Sequence, residues 1–166
     1  MTSVTIQERE QKSLHAELKG YKHGFLVTIH STSSDNADSF PLNFHTLDRF
    51  KNHLDDIRRA LGIFCYGRTF RRKNAEIRIV GALEIGECGR LHAHLAVLSD
   101  HECEKSVDEV KQRLKEVICP HFSSVASGEN AFDVRAYDRP KLQKLVAYLF
   151  KQRVRVRNRF GIDGLI

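Results

Sequence analysis

The sequence predicts an α+β domain, with a central and mostly antiparallel sheet of about five strands flanked by helices. Three observations carry that expectation. Short runs rich in β-branched residues recur along the chain, beginning with Phe25-Leu-Val-Thr-Ile-His30. Two such runs, Glu76–Ile85 and Leu91–Leu98, are separated only by Gly86-Glu87-Cys88-Gly89-Arg90, which reads as the turn of a hairpin. Segments of helical period lie between the other strands.

The elements follow in order. Residues 1–23 read as an N-terminal helical extension, with a polar helix from Thr5 to Leu18 ending at Gly20. Residues 24–166 read as a single domain with a basic C-terminal tail. Phe25–His30 is its first core strand, and Ser31–Pro41 is a loop rich in Ser, Asp and Asn. Leu47, Phe50, Leu54, Ile57 and Leu61 lie on one helix face, with Thr46 as N-cap and Gly62 as C-terminal stop. After the hairpin, Val107, Val110, Leu114 and Val117 form the apolar stripe of a helix over Lys105–Ile118. Phe132–Tyr137 is a short strand. A last helix runs from Pro140, at a first-turn position, to about Arg153.

Composition narrows the function. The chain has 166 residues, 41% hydrophobic and 29% charged, ordinary for a soluble globular protein. No apolar run approaches the roughly 18 residues of a membrane helix. Met1–Glu10 lacks the apolar centre of a secretion signal, so the expected location is the cytoplasm of the host cell. The 4 cysteines form no CxxC and read as free thiols. A net charge of +6 and a pI of 9.3 point to an anionic partner. The charge gathers in two places, one around Arg71 and Arg72 and the other over Lys151–Arg159. If the second is extended, Arg153, Arg155, Arg157 and Arg159 share one face as a row of guanidinium groups suited to phosphates.

Chemistry concentrates in the hairpin. His92 and His94 share a face of an extended strand because side chains alternate with period two, and Glu84 has the same parity. If Glu84 sits opposite His94, two imidazoles and a carboxylate form a metal site with open positions. Glu87 has the other parity and falls in the turn. The last helix adds a nucleophile. Stepping about 100° per residue, Lys141, Lys144, Lys151 and Gln152 fall within about 60° of Tyr148. Leu142, Leu145, Val146 and Leu149 take the opposite side. A tyrosine hydroxyl titrates near pKa 10 in water, and neighbouring ammonium groups favour its phenolate. His30 and Tyr137 read as structural residues.

The ordered set Glu84, His92-Ala93-His94 and Tyr148-Leu-Phe-Lys151 resembles the HUH endonuclease superfamily, in particular its single-tyrosine rolling-circle replication initiators. The resemblance spans residues 24–153 and implies a ferredoxin- or RRM-like nuclease fold. It implies that His92, His94 and Glu84 hold Mg²⁺ or Mn²⁺, that Tyr148 attacks DNA and that Lys151 steadies the phosphate. Lys144, Arg153, Arg155, Arg157, Arg71 and Arg72 would then contact DNA. The partner implied is single-stranded DNA at an origin or hairpin. No GxxxxGK[ST] helicase motif occurs, so unwinding would fall to a host replication helicase. Two other readings stand beside it: a single-tyrosine transposase of the same superfamily, and a non-catalytic basic nucleic-acid-binding module.

Overall fold

The computed structural model describes residues 5–30, 57–68, 76–85, 91–118 and 132–160. Helix α1 (Ile6–Leu18) opens with a capping box. The Thr5 hydroxyl accepts from the Glu8 N–H at 3.3 Å, and the Glu8 carboxylate accepts from the Thr5 N–H at 2.8 Å. Strand β1 (His23–His30) follows, then helix α2 over 57–66 and strands β2 (Ile77–Ile85) and β3 (Leu91–Ser99). Helix α3 (Val107–Ile118) is capped by Ser106, whose hydroxyl accepts from the Glu109 N–H at 3.2 Å. Strand β4 (Phe132–Ala136) leads through a 3₁₀ turn (Arg139–Lys141) into α4 (Leu142–Phe160). None of the described helices is long and apolar enough to cross a membrane.

The fold is α+β with an antiparallel sheet of order β2-β3-β1-β4. Four strands are described, against an expectation of about five. Alternation divides the sheet cleanly. Phe25, Val27, Ile29, Leu83, Ala93, Leu95, Phe132 and Val134 face α2 and α3, whose Ile57, Leu61, Val110 and Leu114 complete one core. Val80, Ala82, Ala96 and Leu98 face α1 and α4, meeting Leu18, Leu142, Val146, Leu149 and Phe150. The N-terminal helix is thus packed into the second core through Leu18, which is fully buried. Arg78–Glu17 and Arg153–Glu10 ion pairs, both at 2.7 Å, tie α1 to β2 and α4 at the surface, where such pairs add little.

Two sequence expectations about helix ends are corrected. Helix α2 runs through the expected stop at Gly62, which is buried, and ends at Gly67 instead. Gly67 takes a left-handed φ of 77°, the conformation a helix C-terminus favours, and its N–H bonds Ile63 O at 2.9 Å. Thr46 and the predicted first turns of this helix lie outside the described residues. The basic tail is also not extended, because α4 continues to Phe160. Once a helix is nucleated and docked, each added residue costs little, and arginine is a good helix former, so the Arg/Val alternation does not break it. The expected row of guanidinium groups required an extended backbone, in which alternate residues share a face, and the backbone here is helical.

β2 lies against β3 with no room between them at Gly81. A Cβ built there would fall 2.4 Å from His94 O and 2.6 Å from Leu95 Cδ2. Gly81→Ala is therefore expected to destabilise the protein by about 1–3 kcal/mol, the cost of overpacking a tight interior. A urea titration that shows an unchanged midpoint for this variant contradicts the packing described.

Candidate active site

Strand register builds one functional face from four strands. On the face that meets α4, Asp133, Thr28, His94 and Ala82 stand side by side across β4, β1, β3 and β2. One step along, His30, His92 and Glu84 form a second row across β1, β3 and β2. Glu84 therefore stands opposite His92, not His94 as the sequence suggested. The discrepancy is a two-residue slip, set by Ile85 pairing with Leu91 at the hairpin end. A two-residue slip preserves parity, so the shared face survives.

Helix α4 crosses this face and brings Tyr148 and Gln152 to Glu84. The Tyr148 hydroxyl donates to Glu84 Oε2 and lies 3.2 Å from His94 Nε2. Gln152 Nε2 donates to Glu84 Oε1 at 3.1 Å. Glu84 Oε2 also contacts His94 Nε2. Both side chains are largely shielded, with 22% and 23% of their area exposed. Burial by itself would raise the Glu84 pKa, but the Tyr148 hydrogen bond and the His94 and His92 charges outweigh it, holding the carboxyl below its ordinary value. Burial pushes the His94 pKa below its ordinary value, with Glu84 opposing, so the neutral imidazole is favoured. The tyrosine thus meets a carboxylate and an imidazole.

Both histidines are held from behind by β1. Thr28 Oγ1 lies 3.0 Å from His94 Nδ1, and His30 Nδ1 lies 2.7 Å from His92 Nδ1. At that distance one of the two ring nitrogens donates and the other accepts. His30 was read as structural from the sequence, yet it reaches the functional face.

The donor set suits a divalent cation: one hard carboxylate and two imidazoles, the latter backed by outer partners that orient metal-binding rings. Glu84 and His94 already converge. The His92 ring lies 6.4 Å from that of His94 and nearly parallel to it, at 20°. Among the described residues no three His, Cys, Asp or Glu side chains gather on a single point.

A cleft of about 580 Å³ opens from this centre toward β4 and the first turns of α4. Lys144 lines it, together with Thr28, His30, His94, Asp133 and Tyr148. Lys151 is exposed on α4 and is not among the lining residues. Arg153 is engaged by Glu10 and lies over the Phe150 ring at 5.6 Å, on the side of α1. The backbone at Arg155 and Arg157 is helical, but their side chains lie outside the described set, as do Arg71 and Arg72 altogether.

Sequence reading assigned no role to Thr28, Asp133 or Gln152. Thr28 and His30 share parity on one strand, a signal present but inconclusive until β1 was known to neighbour β3. Gln152 lay on the polar stripe with Tyr148, yet it is 1% exposed and serves as a buried donor. No protein-family model matches this chain, and no protein of curated function matches it either.

Thr28→Val removes the hydroxyl at His94 with little change of shape. It is expected to lower stability by about 1 kcal/mol, the usual net worth of one such hydrogen bond. It should also shift the His94 ring nitrogens in ¹⁵N NMR spectra, while Thr28→Ser keeps both properties near wild type. Identical His94 spectra for wild type and Thr28→Val contradict the contact.

Proposed function

We propose that the protein nicks and rejoins single-stranded DNA through a tyrosyl intermediate, initiating rolling-circle replication. The observation that carries this reading is the meeting of Tyr148 with Glu84 and His94. The only hydroxyl nucleophile on α4 lies against two of the three donors that the HUH resemblance assigns to a metal. The sequence places these groups on separate elements, and their contact is what the chemistry needs. The β1-α2-β2-β3-α3-β4 order and the β2-β3-β1-β4 sheet also support it, being the split β-α-β arrangement of ferredoxin-like domains.

His92, His94 and Glu84 would hold Mg²⁺ or Mn²⁺, which when bound supplies Lewis-acid polarisation of the scissile phosphate. Tyr148 Oη attacks the phosphorus, forming an O–P bond as the bond from phosphorus to the 3′ oxygen breaks. The tyrosine proton passes to Glu84 or His94, the two groups within its reach. The departing 3′ oxygen takes a proton from solvent or from the group that received the tyrosine proton, leaving a free 3′-hydroxyl and a 5′-phosphotyrosyl end. One phosphodiester replaces another, so the 3′-hydroxyl can reverse the step and reseal the strand. Lys144 lines the approach and would neutralise phosphate charge, with Lys151 a turn beyond Tyr148. A single-tyrosine transposase would use the same chemistry on a different DNA.

The test is covalent capture. Incubated with labelled single-stranded oligonucleotides and Mn²⁺, the wild-type protein is expected to form a denaturant-resistant adduct. Chelation should abolish it, Tyr148→Phe should abolish it, and Glu84→Gln should reduce it by about 10–100-fold, as loss of a metal ligand or its support does. An adduct that persists in Tyr148→Phe removes the nucleophile assignment. Absence of any adduct with origin or hairpin DNA leaves a non-catalytic nucleic-acid-binding module as the reading.

A further inference from the structure

The cleft beside Tyr148 has a construction that phosphate binding alone does not explain. Lys141 closes the 3₁₀ turn, and Lys144, Leu145 and Tyr148 follow it on the first turns of α4; Leu145 lies about 60° from Tyr148 by helix geometry, not on the opposite side as the sequence suggested, and together they form one wall. Opposite them stand Leu26 on β1 and the Asp133–Arg135 pair on β4, and Asp133 lies directly across from Thr28 in the sheet. Aliphatic side chains line the interior, while lysines and Arg135 supply positive charge. A phosphate has no use for leucine walls, and an aliphatic ligand has no use for the cations. A nucleotide uses both, with an apolar base face against the leucines and a phosphate toward the lysines. The volume of about 580 Å³ lies within the roughly 300–1,000 Å³ that small-ligand sites span.

Asp133 is the residue in this cleft able to discriminate. A carboxylate accepts hydrogen bonds and does not donate them, and Arg135 pairs with this one at 2.8 Å. An acceptor-only edge matches bases that present an amino group, such as cytosine N4 or adenine N6. Thymine presents two carbonyl oxygens around a single N–H, and these repel a carboxylate. We propose that this cleft takes one unstacked nucleobase of the strand held at Tyr148, and that Asp133 selects an amino-bearing base over thymine. The inference rests on the single-stranded DNA reading above and adds to it a place and a residue for base selection.

The experiment separates the two. Tyr148→Phe, which cannot react, is titrated by fluorescence anisotropy with labelled homopolymers of deoxycytidine, deoxyadenosine and thymidine about ten nucleotides long, within the usual span of a single-strand site. The ratio of the thymidine Kd to the deoxycytidine Kd is expected to be about ten, on the scale of one good base contact. Adding Asp133→Asn should bring that ratio close to one, because an amide both donates and accepts. Asp133→Glu should keep much of it. Lys144→Ala should weaken all three polymers alike. A ratio unmoved by Asp133→Asn overturns the proposal, as does failure to bind any of the three polymers. An Asp133-dependent ratio in a protein that forms no adduct would retain the base site and dismiss the nicking reaction. An adduct-forming protein whose ratio ignores Asp133 would do the reverse.

Discussion

The Glu84 carboxylate is the point at which sheet and helix are joined chemically. Its two oxygens take hydrogen bonds from Tyr148 and Gln152 of α4 and meet His94 of the neighbouring strand. A carboxylate withdrawn from water is costly unless its acceptor sites are filled, and these partners fill them. A hydrogen bond to a charged group is worth about 1.5–3 kcal/mol, so each partner matters to how α4 sits. The apolar contacts of Val146, Leu149 and Phe150 press the helix onto the sheet. Glu84 then selects the rotation that turns Tyr148 inward. Without that rotation the tyrosine would be one more half-exposed aromatic on a surface helix.

The central position of β3 organises everything else on this face. It has β2 on one side and β1 on the other, so His92 and His94 receive neighbours from both. Glu84 comes from β2, while Thr28 and His30 come from β1. Thr28 and His30 restrain the rings, and Glu84 and Tyr148 supply the reactive contacts. This division of labour follows from antiparallel pairing, which sets side chains of like parity in rows across the sheet. The same rows place Asp133 at the open edge, beside the cleft.

The basic character of the chain takes on a different distribution in three dimensions. The cluster over Lys151–Arg159 is wound into a helix, and its first arginine is committed to Glu10. The cations lining the cleft beside Tyr148 are Lys144 at the start of α4, Lys141 in the 3₁₀ turn before it, paired with Asp138, and Arg135 on β4, paired with Asp133. Net charge sets a general attraction for anions, but the position of individual lysines decides where the positive potential is concentrated.

Much of this was legible in the sequence because it depends on local backbone geometry. Period-two alternation assigned Glu84, His92 and His94 to one face, and the helical period set Lys144 and Gln152 on the same side of α4 as Tyr148. These regularities hold wherever the strand or helix is placed. The sequence misjudged what local geometry leaves free. Gly62 and Gly67 both suit a helix end, and packing of the partly buried Phe64, Cys65 and Tyr66 against the core decided for the second. The hairpin register, and with it the pairing of Glu84 to His92, was set by how the turn closes. The neighbours of β3 and the rotation of α4 depended on packing between residues more than fifty positions apart. Only the tertiary structure decided that Thr28 and His30 back the histidines and that Gln152 is buried against Glu84. Those contacts are long-range, and no periodicity within a segment encodes which distant segment it will meet.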